Sequence, residues 1–218
     1  MIPLFIALAA TAAATIAVVA GRRRDATRTE ALRELAERLG WGFRREVEAK
    51  ALPDLERFEL LSQGRRRTLN NVMTSPESDV RVVVFDYAYT TGAGNSRRRH
   101  RQTVAYVVSG TFSLPTFSVR PQHFGHAIAK VFGYQDVEVP ERPRFSEMFV
   151  LRGEDEAALR GVFGARELAQ FFEERDAICA AGTGRELLLW RPGRRADVSA
   201  IEALIGDARE LADLVARS

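Results

Sequence analysis

Hydrophobic and polar residues follow three successive patterns along this chain of 218 residues. Residues 2–20 form an uncharged run rich in Ala, Ile, Leu and Val. From Trp41 to Trp190, short β-prone runs are separated by Gly, Pro and polar positions, which is typical of strands joined by turns. After Ser199, apolar residues recur on one helix face. The patterns predict an α+β fold: a mainly antiparallel sheet with flanking helices and an amphipathic C-terminal helix, preceded by one transmembrane helix.

The clearest strand signal lies between Val80 and Ser109. Two β-prone runs, Val80–Tyr89 and Thr103–Ser109, flank a polar loop that contains glycines and the basic run Arg97–Arg101. Two β-prone runs around a break of Gly and Asn predict a strand–loop–strand unit. We expect this unit to be the central antiparallel hairpin of a sheet of about five to seven strands, and we leave pleckstrin-like and START-like arrangements open.

The other elements are predicted from capping residues, Pro and Gly breaks and apolar periodicity. A capping box at Thr27–Glu30 predicts a helix that ends at Gly40 and either continues the apolar helix as a stalk or docks on the domain. Further helices are expected at Pro53–Gln63, Pro121–Gly133, Glu154–Phe163, Ala165–Glu174 and from Ser199 onward. Further strands are expected at Arg66–Thr74, Thr116–Val119, Asp136–Val139, Phe145–Leu151 and in a second hairpin, Ala177–Ala181 with Glu186–Trp190.

The run at residues 2–20 is long enough for a bilayer, since about twenty helical residues cover about 30 Å. The alternative is a cleaved signal peptide, but no Lys or Arg precedes the run. Arg22–Arg24 follow it directly, and the positive-inside rule keeps such residues in the cytoplasm. The sequence therefore predicts an anchor over residues 1–24, with its N-terminus outside, and a single cytoplasmic domain over residues 25–218. We therefore expect a single-pass protein of the cytoplasmic (inner) membrane.

Composition adds little to the chemistry. The net charge is only +3, and Lys50 and Lys130 are the sole lysines among 32 basic residues. With so many alanines, this arginine preference is typical of a GC-rich genome rather than of phosphate recognition. Cys179 is the single cysteine, which excludes an intramolecular disulfide and a cysteine metal cluster.

Several short motifs are spread over residues 30–215. They are Phe85-Asp86-Tyr87 with Tyr89–Gly92, Gln102–Val104, Leu114-Pro115-x-Phe117 with Arg120-Pro121, and Phe145-Ser146 with Phe149–Glu156. In combination they resemble an uncharacterised family of bacterial proteins with an N-terminal membrane helix and a cytoplasmic α+β domain. The resemblance implies that topology and one folded domain, and it carries no activity, so it assigns no catalytic or binding residue.

Asp86 is a candidate polar site. In a regular strand its side chain shares a face with Val82 and Val84. A carboxylate on an apolar face needs a partner or a shifted pKa. An arginine of a neighbouring strand, such as Arg66 or Arg67, would satisfy it structurally, and the alternatives are a general base or simple exposure.

His123 and His126 are the second candidate polar site. Their spacing on a predicted helix would let both imidazoles face one metal ion. Zinc and iron sites need three or four ligands, however, and no other residue has suitable spacing. We therefore predict no metal and no cofactor. No nucleophile motif such as Gly-x-Ser-x-Gly occurs, and no catalytic residue is assigned.

The densest basic run consists of Arg97, Arg98, Arg99 and Arg101, with His100 among them. We expect these arginines on a solvated loop, where an acidic protein or an anionic lipid is the candidate partner. Nucleic acid is disfavoured because the loop lacks the interleaved aromatic residues of single-strand binders.

These observations favour a membrane-anchored, non-enzymatic binding or scaffold module at the cytoplasmic face. The membrane contact is residues 2–20, and Arg97–Arg101 would contact the partner or lipid. The alternative is a small-ligand or lipid-binding domain with a pocket between sheet and helices. An enzyme of unknown class that uses Asp86, His123 and His126 ranks third. The sequence assigns no oligomeric state.

Overall fold

The computed structural model describes residues 2–48, 55–76, 78–124, 135–175 and 177–217, with side chains from residue 19 onward except that of residue 124. The strands in these ranges are β1 (Gly42–Val47), β2 (Arg65–Thr74), β3 (Val80–Thr91), β4 (Arg98–Ser109), β5 (Leu114–Pro121), β6 (Gln135–Val137), β7 (Phe149–Gly153), β8 (Cys179–Gly184) and β9 (Glu186–Trp190). The helices are α1 (Ile2–Arg38), α2 (Glu59–Ser62), α3 (Pro143–Met148), α4 (Glu156–Phe163), α5 (Arg166–Glu173) and α6 (Ile201–Arg217).

The strands form one sheet in the order β1-β2-β3-β4-β9-β8-β5-β7-β6, and neighbouring strands are antiparallel throughout. The predicted α+β class is confirmed, although the sheet of nine strands in the described ranges is larger than expected. The predicted second hairpin is also confirmed as β8 and β9. Gly184, with φ +56°, takes the left-handed conformation at its turn.

The central hairpin is confirmed as β3 and β4, which pair continuously from Val80 opposite Ser109 to Thr91 opposite Arg98. Its loop is shorter than expected because the strands continue through the basic run. Arg98–Arg101 therefore belong to β4 rather than to a loop, and only residues 92–97 connect the two strands.

Both faces of the sheet are covered by apolar side chains. One face, which carries Val82 and Val84, packs against α1 and α3–α6. The opposite face, which carries Val83 and Phe85, packs against the short segment 55–62. The alternation of valines along β3 thus serves two separate cores, because successive strand residues point to opposite faces.

The C-terminal helix follows its predicted pattern as α6. Buried residues repeat along one stripe of this helix and join the larger core. They are Ile201, Leu204, Ile205, Ala208, Leu211, Ala212 and Val215. Helices α4 and α5 are likewise confirmed, and the Asp155 side chain caps α4 by accepting a hydrogen bond from the amide of Ala158 at 2.9 Å.

Three local predictions differ from the structure in part. Pro121 ends β5 instead of opening a helix, and the rest of that predicted helix, from residue 125 on, lies outside the described residues. The predicted strand Phe145–Leu151 begins as α3, because Pro143 occupies the first helical turn, where its missing N–H costs no hydrogen bond. The segment predicted as a helix at Pro53–Gln63 contains, in its described part, a short 3-10 turn followed by α2.

Helix α1 is continuous, so the predicted capping box at Thr27 does not form. The Thr27 hydroxyl instead donates to the carbonyl of Arg23, at 3.0 Å within the helix. The second half of α1 docks on the sheet through Leu32, Leu35 and Ala36, which are all buried. For residues 2–18, most of the predicted anchor, the structure describes the helix but not the side chains. Among the described residues, no helix is sufficiently long and apolar to span a membrane.

Candidate functional site

Asp86 lies at the centre of a buried hydrogen-bond network between α1 and the sheet. Its partner is Arg28 of α1 rather than Arg66 or Arg67: the Arg28 Nε lies 2.7 Å from Oδ2, and the Arg28 Nη2 lies 2.8 Å from Oδ1. Asn71 Nδ2 donates to the same carboxylate at 2.9 Å, and the Thr103 hydroxyl donates at 2.8 Å. Four donors satisfy the carboxylate on its apolar face, as burial of a charge requires.

Arg28 connects the network to a further segment of the chain. Its Nη1 donates to the carbonyl of Ala196 at 2.7 Å, and the amide of Ala196 donates to the Thr103 hydroxyl at 3.0 Å. Sequence reasoning missed Arg28, although one signal was present. Arg28 precedes Leu32 by four positions and Leu35 by seven, so it lies on the buried face of α1.

A bulge in β2 brings Asn71 to this network. The register of β2 against β3 shifts between Asn70 and Met73, and Asn71 has a φ of +53°. Asn is one of the few residues besides Gly that adopt this conformation readily. The Asn71 Oδ1 is buried and has no hydrogen-bond partner in the described part of the chain.

A cavity of about 390 Å³ adjoins the network, between α1 and strands β1–β4. Among the residues that the structure describes, five arginines border it: Arg22, Arg45, Arg99, Arg101 and Arg195. The acidic residues on its lining are Asp25 and Asp86. We call it the arginine cavity.

The acidic side chains leave this positive charge only partly neutralised. Asp86 is already paired with Arg28. Asp25 pairs with Arg195 at 2.8 Å and with Arg101 at 3.4 Å. Burial raises the pKa of Asp25, but the Arg195 hydrogen bond and the surrounding arginine charges outweigh it, so the pKa lies below its usual value and the carboxylate is ionised at neutral pH.

Three arginines of the cavity make no ion pair and no hydrogen bond within the described ranges. They are Arg22 of α1, Arg45 of β1 and Arg99 of β4. Because they come from three different elements and converge on one concave surface, the cavity presents free cationic donors to anything that enters it. Such an arrangement is suited to a phosphate or a carboxylate.

The predicted basic run is divided by the alternation of the strand. Arg99 and Arg101 border the arginine cavity. Arg97 and Arg98 are exposed beside them. His100 points to the opposite face, where it stacks on Tyr89 with ring centroids 4.7 Å apart.

His123 is not brought to the arginine cavity. His123 lies in the short 3-10 helix Gln122–Phe124 and does not border the cavity, and His126 lies outside the described residues. Within the described ranges, no group of three or more His, Cys, Asp or Glu side chains is placed to hold a metal ion. Of the two candidate polar residues that the structure describes, Asp86 adjoins the cavity and His123 does not.

Comparison with known proteins gives a precedent for the fold. No protein-family model matches the chain, and no curated protein matches it. A solved structure does, namely the crystal structure of the mycobacterial trehalose monomycolate transport factor A, TtfA. The chain has a fold similar to that of TtfA. The match has a TM-score of 0.63 at 14% identity and covers 86% of this chain and 93% of TtfA, so it concerns the fold alone.

Proposed function

We propose that the chain is a non-enzymatic accessory module anchored at the cytoplasmic face of the bacterial inner membrane, and that its arginine cavity binds an anionic phospholipid headgroup. The observation that carries the proposal is the position of the cavity. Arg22, Asp25 and Ala26 border it, and Arg22 follows the apolar run of residues 2–20 by two positions on the same helix. In an anchored chain, the cavity lies where α1 leaves the bilayer.

The charge of the cavity supports a headgroup as the ligand. A basic side chain near an anionic membrane surface contributes about 1 kcal/mol to binding. Arg22, Arg45 and Arg99 make no ion pair or hydrogen bond in the described ranges and are suited to contact a phosphate. Asn71 Oδ1 lacks a donor there and would accept a hydrogen bond from a headgroup hydroxyl. Phosphatidylglycerol carries both groups, and we take it as the test lipid.

The fold comparison supports an accessory role. TtfA is named a transport factor, which is a precedent for a transport-related role on this arrangement of strands and helices. The identity is too low to transfer its cargo or its partners. The proposal for this chain therefore rests on the arginine cavity.

Replacing Arg45 and Arg99 together by Gln is expected to weaken the preference for phosphatidylglycerol over phosphatidylcholine by about 30-fold, because two contacts of about 1 kcal/mol each are lost. Neither arginine makes an ion pair or a hydrogen bond in the described ranges, so the fold should be kept. The measurement is native mass spectrometry of the full-length chain purified from mixed-lipid membranes, in which the retained lipids are counted by mass.

The matched control is Arg44→Gln with Arg98→Gln. Arg44 and Arg98 are the immediate neighbours of Arg45 and Arg99 on the same strands, and both are exposed. Their substitution removes the same amount of charge. The control should keep the preference. Equal losses in both double variants would indicate diffuse attraction and would contradict a headgroup site. A wild-type chain without lipid preference would contradict it too, and in that event an acidic protein becomes the candidate partner.

The anchor has a separate test. Bacterial membranes that contain the full-length chain are washed with alkaline carbonate, and we expect the protein to stay in the pellet. A reporter fused after Ser218 should be active if it is a fluorescent protein and inactive if it is alkaline phosphatase, because the positive-inside rule places the C-terminal part in the cytoplasm. Release into the wash or the reverse reporter pattern would refute the anchored topology.

A further inference from the structure

A second cavity lies on the opposite face of the sheet, beside α2. Its volume is about 410 Å³, which is within the usual range for small-molecule pockets. Leu60, Tyr89 and Trp190 give it mainly apolar walls. None of the residues that border the arginine cavity borders this one. We call it the apolar cavity, and its chemistry is independent of the headgroup site.

One wall of the apolar cavity is flat and held in place by stacking. The ring of Tyr89 stacks on Tyr87 with centroids 5.5 Å apart and on His100 with centroids 4.7 Å apart. The His100 Nε2 is also 2.8 Å from the Thr91 hydroxyl, which fixes the imidazole. A wall of this kind is suited to a planar or slender apolar group.

Two titratable groups of the wall, Tyr89 and Cys179, are uncharged at neutral pH. Burial raises the pKa of Tyr89 above its usual value. Burial also raises the pKa of Cys179, which borders the cavity, to about 12, so the group is a thiol and not a reactive thiolate. These side chains act as walls and not as nucleophiles.

Two hydrogen-bond donors on the lining have no acceptor in the described part of the chain. Gln102 is 2% exposed, and its Oε1 accepts from the amide of Gly193 at 3.1 Å, while its Nε2 has no partner. Arg120 pairs through Nη2 with Glu59, while its Nε has no partner. A buried donor without an acceptor destabilises the folded chain, so two such donors on one cavity indicate a ligand that supplies the acceptor.

We propose that the apolar cavity binds a small amphipathic carboxylate. Its carboxylate oxygens would accept from Gln102 Nε2 and Arg120 Nε, and its apolar body would lie against Tyr89 and Trp190. The charge of Arg120 favours an anion over a neutral carbonyl. This ligand site is independent of any function of the arginine cavity. It corresponds to the alternative considered from the sequence, a small-ligand domain with a pocket between sheet and helices.

The probe is 3-phenylpropanoate, which combines a carboxylate with a slender aromatic body, and its neutral counterpart is 3-phenylpropanamide. Both are titrated into the full-length chain in lipid nanodiscs, and binding is followed by saturation-transfer NMR. We expect the carboxylate to bind at least tenfold more tightly than the amide, because only the carboxylate brings a negative charge to pair with the Arg120 guanidinium.

Two variants test the assigned donors. Gln102→Glu keeps the acceptor for the Gly193 amide but replaces the free donor with negative charge, so carboxylate binding should weaken at least tenfold. Glu59→Gln removes the anion that shares Arg120, so carboxylate binding should tighten several-fold while amide binding stays unchanged. The control for an added carboxylate is Gln135→Glu, an exposed position in β6, which should leave both affinities unchanged.

The outcomes decide the proposal. Carboxylate preference with opposite responses of Gln102→Glu and Glu59→Gln supports it. Equal binding of the amide, no binding of either probe, or equal effects of Gln102→Glu and Gln135→Glu overturns it. If Gln102→Glu loses its cooperative thermal transition, Glu59→Gln decides, and an unchanged carboxylate affinity in that variant overturns the proposal.

Discussion

Asp86→Ala is expected to lower the free energy of unfolding by about 3–5 kcal/mol, the usual cost of breaking a buried ion pair. The change leaves the Arg28 guanidinium, whose side chain is 12% exposed, without its carboxylate. It also removes the acceptor of Asn71 Nδ2 and of the Thr103 hydroxyl. The loss is measured by thermal unfolding of the full-length chain, at about 2–4 °C for each kcal/mol in a protein of this size.

The location of the damage distinguishes this prediction from general destabilisation. Arg28 is the charged contact that fixes α1 to β3 and to the Ala196 carbonyl. Hydrogen exchange should therefore accelerate first in residues 28–38. The control is Asp79→Ala, an exposed carboxylate just before β3, which should change stability by about 0.5 kcal/mol or less. A similar effect of both substitutions would contradict the structural role of the pair.

A double variant separates the charge from the packing. Arg28→Met with Asp86→Leu removes both charges and leaves apolar groups at the junction of α1 and the sheet. Replacing both members of a buried pair is often neutral or stabilising, so the double variant should recover much of the stability lost in Asp86→Ala. It should also leave the free arginines of the cavity in place, because neither Arg28 nor Asp86 pairs with Arg45 or Arg99.

Local sequence patterns predict which segments form strands better than they predict where each strand ends. The central hairpin and α6 carry period-2 and helical patterns that need no distant information. The predicted β4 is too short, because the arginines between Ser96 and Gln102 are typical of a polar loop by composition. In the structure, stacking of His100 on Tyr89 and the pair of Arg101 with Asp25 hold that polar end of the hairpin.

The candidate site was predicted only in part, because its residues come together from distant positions. The face of Asp86 and its need for a partner followed from strand alternation. The partner Arg28 is 58 residues away in sequence, and no local rule selects it over Arg66 or Arg67. The arginine cavity combines Arg22, Arg45 and Arg99 from three elements, so its charge depends on the sheet order.

The sequence patterns do not select the two donors of the apolar cavity, for a different reason. Neither Gln102 nor Arg120 belongs to a motif of known chemistry. A Gln or Arg in a β-prone run is ordinarily predicted to be exposed to solvent. These two residues become candidates for ligand binding because their donors are buried without an acceptor. The packing of α2, β4, β5 and β9 produces this burial. Unsatisfied polarity is a property of the folded chain, and it was therefore absent from the sequence patterns.

Phe172→Ala is expected to cost about 3–5 kcal/mol, the usual effect of removing a fully buried phenylalanine side chain. Phe172 is completely buried in α5. Its ring lies 5.8 Å from that of Phe145, 5.6 Å from Phe149 and 6.1 Å from Phe163, measured between centroids. One substitution thus removes contacts that hold α3, α4 and α5 on β7, and each aromatic pair adds about 0.5–1.5 kcal/mol beyond burial.

The matched variant is Phe172→Leu, which keeps most of the apolar volume and should cost clearly less than the alanine. Thermal unfolding of the full-length chain measures both losses. Neither variant should change the preference for phosphatidylglycerol, because Phe172 borders neither the arginine cavity nor the apolar cavity. A loss below about 1 kcal/mol in Phe172→Ala would contradict a shared aromatic core. A lost lipid preference in a variant that still unfolds cooperatively would show that the headgroup site depends on this core and not on the arginines alone.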